Sequence, residues 1–99
     1  MKLKNNVRLT DLKPQLIIAI IIVDQIYSSH GKELVITSLD DSVHGTGSLH
    51  DSGNAFDART NYFTDQERKV VHAEIKAALD VNFDIVDEVN HLHIEYDPK

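Results

Sequence analysis

Cysteine is absent from this sequence of 99 residues, and basic side chains are few, with 10 Lys and Arg against 16 Asp and Glu. Without cysteine there are no disulfide staples and no thiolate metal ligands, so a bound metal would have to use histidine, carboxylate or water. A formal charge of −6 has the wrong sign for general binding to a phosphate backbone, which excludes nucleic acid as the expected partner. No long hydrophobic run is present either. The longest, Leu16 to Val23, holds eight residues, whereas a membrane-spanning helix needs about 20. It lies between Lys13-Pro14 and Asp24-Gln25 and is not followed by a small-residue cleavage site. It therefore reads as a buried core helix and not as an anchor or signal peptide. What the chain does have is ordinary globular composition, 41% hydrophobic and 26% charged, together with six histidines.

The length predicts one domain over residues 1–99. The first helix is expected to be capped by Thr10 or Asp11, to carry Pro14 in its first turn and to stop at Gly31. Glu33 to Ser38 is β-rich and reads as a strand, and Asn54 to Thr60 contains another. Between them, Leu39 to Gly53 holds three of the four glycines and reads as a long loop. Thr64-Asp65-Gln66-Glu67 is a capping box, and Val70, Val71, Ile75, Ala78 and Leu79 give the helix behind it one apolar face. Phe83 to Val86 and His91 to Tyr96 read as two strands joined through Asp87 to Asn90. The order αββαββ predicts an α+β fold, a small antiparallel sheet with two helices on one face.

Two segments carry chemistry. In the first, His50 and Asp57 are seven residues apart with Gly53 between them, a spacing that fits neither one helix face nor one strand face. A bend at Gly53 would bring them together, with Phe56 turned to the core and Ala55 and Asp57 on the opposite face. On spacing alone this is either a metal site or a turn in which Asp57 accepts backbone hydrogen bonds and His50 is solvated. In the second segment, strand alternation puts His91, His93 and Glu95 on one face and Leu92 and Ile94 on the other. The apolar pair belongs to the core, so the two imidazoles and the carboxylate take the open face of the sheet. One such strand alone would read as a solvated face rich in histidine. With His50 and Asp57 available nearby, a His/Asp/His set becomes possible, the kind that holds catalytic zinc with a fourth position open.

Ser48, His50, Gly53, Ala55 and Asp57 together match the Ser-x-His-x-x-Gly-x-Ala-x-Asp motif of the zinc-dependent D-alanyl-D-alanine carboxypeptidases and L-alanyl-D-glutamate endopeptidases. The closing Glu88-x-x-His91-x-His93-x-Glu95 resembles the end of the short, phage-type members of that family. The resemblance runs from about Glu33 to Asp97. It implies a fold shared with the hedgehog signalling domain and a zinc peptidase, of the endolysin kind, that cuts the peptide stems of bacterial peptidoglycan. It also implies Zn2+ held by His50, Asp57 and His93, with Glu88 as the catalytic base and His91 behind the ligands or at the oxyanion side; taking His91 as the ligand instead would restore a Glu88-x-x-His spacing but leave His93 unused. Asp87 is the reserve base, and Ser48 holds the loop or a ligand in place. Many relatives carry an acid where this chain has Asn90, and that departure leaves room for a non-catalytic zinc-binding structural or assembly domain. The expected partner is a stem peptide, met by a monomer that is made in the cytoplasm and acts at the cell wall.

The remaining polar residues invite plainer readings. His30 at a helix end would favour the helix dipole, and His72 beside the apolar face of its helix would be structural. His44 either lines the mouth of the site or is solvated. Arg59 could meet a substrate carboxylate or form a surface ion pair. Asp80 to Asp97 contains six acids and no Lys or Arg, mostly a solvated face, although part of it surrounds the expected metal.

Overall fold

A computed structural model describes residues 1–7, 12–39 and 54–98. Seven elements follow in the order β1 (Lys2–Leu3), α1 (Pro14–Ser29), β2 (Val35–Leu39), β3 (Ala55–Arg59), α2 (Asp65–Ala78), β4 (Phe83–Asp87) and β5 (His91–Tyr96). The strands form one sheet in the order β1-β2-β3-β5-β4. Three of the pairings are antiparallel, but β1 runs parallel to β2, which makes the sheet mixed and five-stranded where an antiparallel one was expected. The cause is connectivity. α1 lies between β1 and β2 in the chain, and a helical crossover returns the next strand parallel to the first. The two-residue β1 is too short to carry a readable pattern of its own.

α1 begins at Pro14, whose missing N–H costs nothing in a first turn. The N-cap is Lys13 in extended backbone, with no side-chain cap, which corrects the expected capping by Thr10 or Asp11; both of those lie outside the described residues. The helix ends at His30, followed by Gly31 at φ +72°, where a residue without Cβ is favoured. Because Leu16 to Val23 is apolar all round, α1 buries Leu16, Ala19, Ile20, Val23 and Tyr27 and still leaves Ile17, Ile18 and Ile21 about half exposed. α2 starts as expected. The Thr64 hydroxyl accepts from the Glu67 amide at 3.1 Å, and the Glu67 carboxylate accepts from the Thr64 amide at 2.8 Å. No helix among the described residues is long and apolar enough to cross a membrane.

Both helices pack on one face of the sheet. The core joins the buried side of α1 and Val71 and Ile75 of α2 to Ile36, Phe56, Ala58, Leu92 and Ile94. Tyr27 reaches through this layer, stacks edge-on against Phe63 and donates from its hydroxyl to the Arg59 carbonyl at 2.8 Å. Burying a large aliphatic side chain contributes roughly 1.5–3 kcal/mol, so Leu92 and Ile94, both fully buried, hold β5 in one orientation. Ile94→Ala should destabilise the fold by about 2–5 kcal/mol, read as a lower urea midpoint with an unchanged slope.

Candidate metal site on the open sheet face

Each strand shows one row of side chains to the helices and the other to the open side. The register sets Asp57 opposite His93, Arg59 opposite His91 and Ala55 opposite Glu95, and on the far side of β5 it sets Val86 opposite His93 and Asp84 opposite Glu95. Since Leu92 and Ile94 face the helices, His91, His93 and Glu95 face away, with Asp57 on the neighbouring strand beside them. The alternation read from the sequence holds at every position of β5. Ala55, expected beside Asp57 on the open face, is nonetheless buried at 4% exposure.

Asp57 and His93, from two motifs 36 residues apart, meet directly. His93 Nδ1–H donates to Asp57 Oδ1 at 2.8 Å, and Nε2–H donates to Glu95 Oε1 at 3.0 Å. The other Asp57 oxygen, Oδ2, lies 3.7 Å from His91 Nε2. His91 is turned by its neighbour, Nδ1–H donating to Asn90 Oδ1 at 2.6 Å. One carboxylate thus stands between two imidazoles. The hydrogen bond to Asp57, opposed by partial burial and reinforced by Glu95, pushes His93 from its usual 6.5 up to about 9.

His50, Ser48 and His44 lie outside the described residues. Of the expected zinc ligands, the structure therefore brings together two, Asp57 and His93. Among the described residues no group of three or more His, Asp or Glu side chains is arranged to hold a metal ion. Glu88 sits in the tight β4–β5 turn across from His91, its amide donating to the His91 carbonyl at 2.9 Å. The reserve base, Asp87, is on the other side of the sheet. It pairs with Leu92 in the ladder, and both its oxygens accept from Arg68 Nε at 2.9 Å. Partial burial raises its pKa, but the Arg68 and Val89 hydrogen bonds outweigh this and hold the carboxyl below its usual range. That carboxylate is a structural anchor, so Asp87 drops out as a base facing the site.

His30 Nε2 hydrogen-bonds the Glu74 carboxylate of α2, an interaction between the helices that the dipole reading did not include. His72 Nε2–H donates to the Ile85 carbonyl at 3.2 Å on the edge strand, a structural role. The contact of Glu95 with His93 and the hold of Asn90 on His91 were not anticipated. Glu95 was signalled by its place in the alternation, whereas nothing in the sequence marks the rotamer of Asn90. Comparisons of the chain with protein-family models, curated proteins and solved structures find no match.

Because His93 titrates higher when folded than the 6.5 of an ordinary histidine, its stabilising contribution is complete below about pH 6.5 and is lost as pH rises through about 9. Thermal unfolding across that window should show the intact chain losing more stability than His93→Gln. Parallel curves for the two would show that this proton does not contribute.

Proposed function

We propose that this chain is a zinc metallopeptidase that hydrolyses the peptide stems of bacterial peptidoglycan, a D-alanyl-D-alanine carboxypeptidase or L-alanyl-D-glutamate endopeptidase of the phage or prophage kind. The observation that supports this reading most is the meeting of Asp57 and His93 at 2.8 Å on the face that the helices leave open. Both positions match the family's ligand pattern. A carboxylate and an imidazole are donors that suit zinc, and their side chains are part-exposed at 23% and 35%, within reach of solvent and substrate.

Asp57 and His93 would hold the ion, with His50 as the third ligand. To do so His93 must release one of the two protons that it now shares with Asp57 and Glu95, so metal and proton compete for the same nitrogens. Bound zinc supplies a Lewis acid that polarises a scissile carbonyl and acidifies water. The chain's own groups do the rest. Glu88 accepts a proton from the attacking water and returns it to the leaving amine. His91, oriented by Asn90, donates a hydrogen bond toward the oxygen on which negative charge develops.

A second reading, a non-catalytic zinc-binding structural or assembly domain, is favoured by Asn90, which stands where many relatives carry an acid. Elemental analysis and digestion of a muropeptide separate the readings. Purified protein should carry about one zinc per chain, and His50→Ala and His93→Ala should both lose it. Glu88→Gln should keep the metal and lose turnover by at least about 100-fold. Zinc without hydrolysis would favour the structural domain. No zinc even after incubation with the ion would end both readings.

A further inference from the structure

The β4–β5 turn is held in a conformation that its own sequence does not favour. Three described residues have positive φ, namely Asn6, Gly31 and Val89. Asparagine and glycine tolerate that region. Val89, at φ +74°, is β-branched and does not. Such a conformation persists only where the surroundings over-determine it. Here the hold comes from two elements on either side of the turn.

From α2, Arg68, a residue only 8% exposed, lays its guanidinium Nε against both oxygens of Asp87, while its Nη1 donates to Asp65 at 2.7 Å. The same Asp87 carboxylate accepts the Val89 amide at 2.8 Å, which closes the turn from beneath. From the end of β3, Thr60, 1% exposed, donates its hydroxyl to the Val89 carbonyl at 2.9 Å and its amide to the Asn90 carbonyl at 3.0 Å. Between these two clamps stand Glu88 and Asn90. Glu88 is bonded through its amide to His91, and Asn90 sets the His91 ring, whose Nε2 faces Asp57.

We infer that Arg68 and Thr60 are positioning residues, which act through Asp87 and the Val89 carbonyl to fix Glu88 and His91 beside Asp57 and His93. What this placement serves rests on the peptidase reading; the placement itself does not. A reaction that depends on a base and an oxyanion donor loses rate steeply when either shifts by about an ångström. Two buried polar clamps on one strained turn suit that demand better than they suit a hairpin that only has to close.

The test compares Thr60→Val, Thr60→Ser and Arg68→Lys with the intact chain. Without metal, NMR relaxation of the 88–91 amides and the His91–Asp57 proximity report the turn directly. Thr60→Val and Arg68→Lys should lose order there and lose the proximity, while Thr60→Ser keeps both and the amides of β2 are unchanged. On a stem peptide with zinc bound, kcat should fall about tenfold or more in the first two variants, at unchanged KM and zinc affinity, and recover in Thr60→Ser. If Arg68→Lys fails to fold, Thr60→Val, which keeps shape and volume, carries the comparison. Turn amides as ordered as in the intact chain would overturn the inference, as would zinc affinity falling in step with kcat. If the intact chain neither binds zinc nor cleaves the peptide, the peptidase reading fails, and the metal-free comparison still decides whether Arg68 and Thr60 set the turn.

Discussion

The open face owes its arrangement to the pairing of β3 with β5, and that pairing is enforced from the opposite side of the sheet. Leu92 and Ile94 sit in the core against the helices, and the histidines between them follow by alternation. A slip of one residue would bring both apolar side chains out and put two imidazoles and a carboxylate under α1 and α2. The loss of two buried aliphatics at roughly 1.5–3 kcal/mol each, before any cost of burying charge, makes the slipped register inaccessible. Asp57 and His93 are therefore held together less by their own 2.8 Å contact than by the hydrophobic residues behind them.

Charge around the site is unbalanced in a consistent direction. Asp57 and Glu95 flank His93, Asp57 also faces His91, and Asp84 stands next to Glu95 across β4. With His93 protonated, the excess negative charge is partly offset by the imidazolium, which is why that proton is held so high. Any divalent cation would meet the same field with twice the charge. Of the six acids between Asp80 and Asp97, Asp80, Asp84 and Glu88 are exposed, and the others are part-buried. Asp87 is tied to Arg68, Asp80 accepts the Asn82 amide at 2.8 Å, and Glu95 belongs to the His93 cluster.

Local and alternating patterns were the legible part. The Thr64–Glu67 capping box, the Gly31 stop, the four main strands and the inward and outward rows of β5 all follow from rules that act within a few residues. What escaped depends on distant partners. β1 is two residues long and exists only because the edge of β2 and the crossover through α1 receive it. The start of α1 at Lys13-Pro14 follows from backbone geometry and carries no side-chain cap that a motif could reveal. At the site, His93 and Asp57 could be assigned to one face from sequence, but the closure of the His93 ring by Glu95 and the clamps of Arg68 and Thr60 could not. Those contacts join residues from 2 to 29 positions apart, and their geometry is set by the packing of α2 and the end of β3.

The two neighbouring carboxylates Asp87 and Glu88 show how packing divides labour that sequence leaves ambiguous. Side chains along a strand alternate, so of two adjacent acids at the end of β4 only one can turn toward the helices. Arg68, nearly buried beneath that strand, meets only the exposed Asp65 on its own helix, and Asp87 is in register to bring a second carboxylate to its Nε. Once Asp87 is spent on Arg68 and on the Val89 amide, it cannot also serve a proton on the open side. Glu88, one residue further and already in the turn, is the acid that this leaves over. The division between the two acids thus follows from where the buried arginine meets its counter-charge, and the geometry of the turn follows from the same contact.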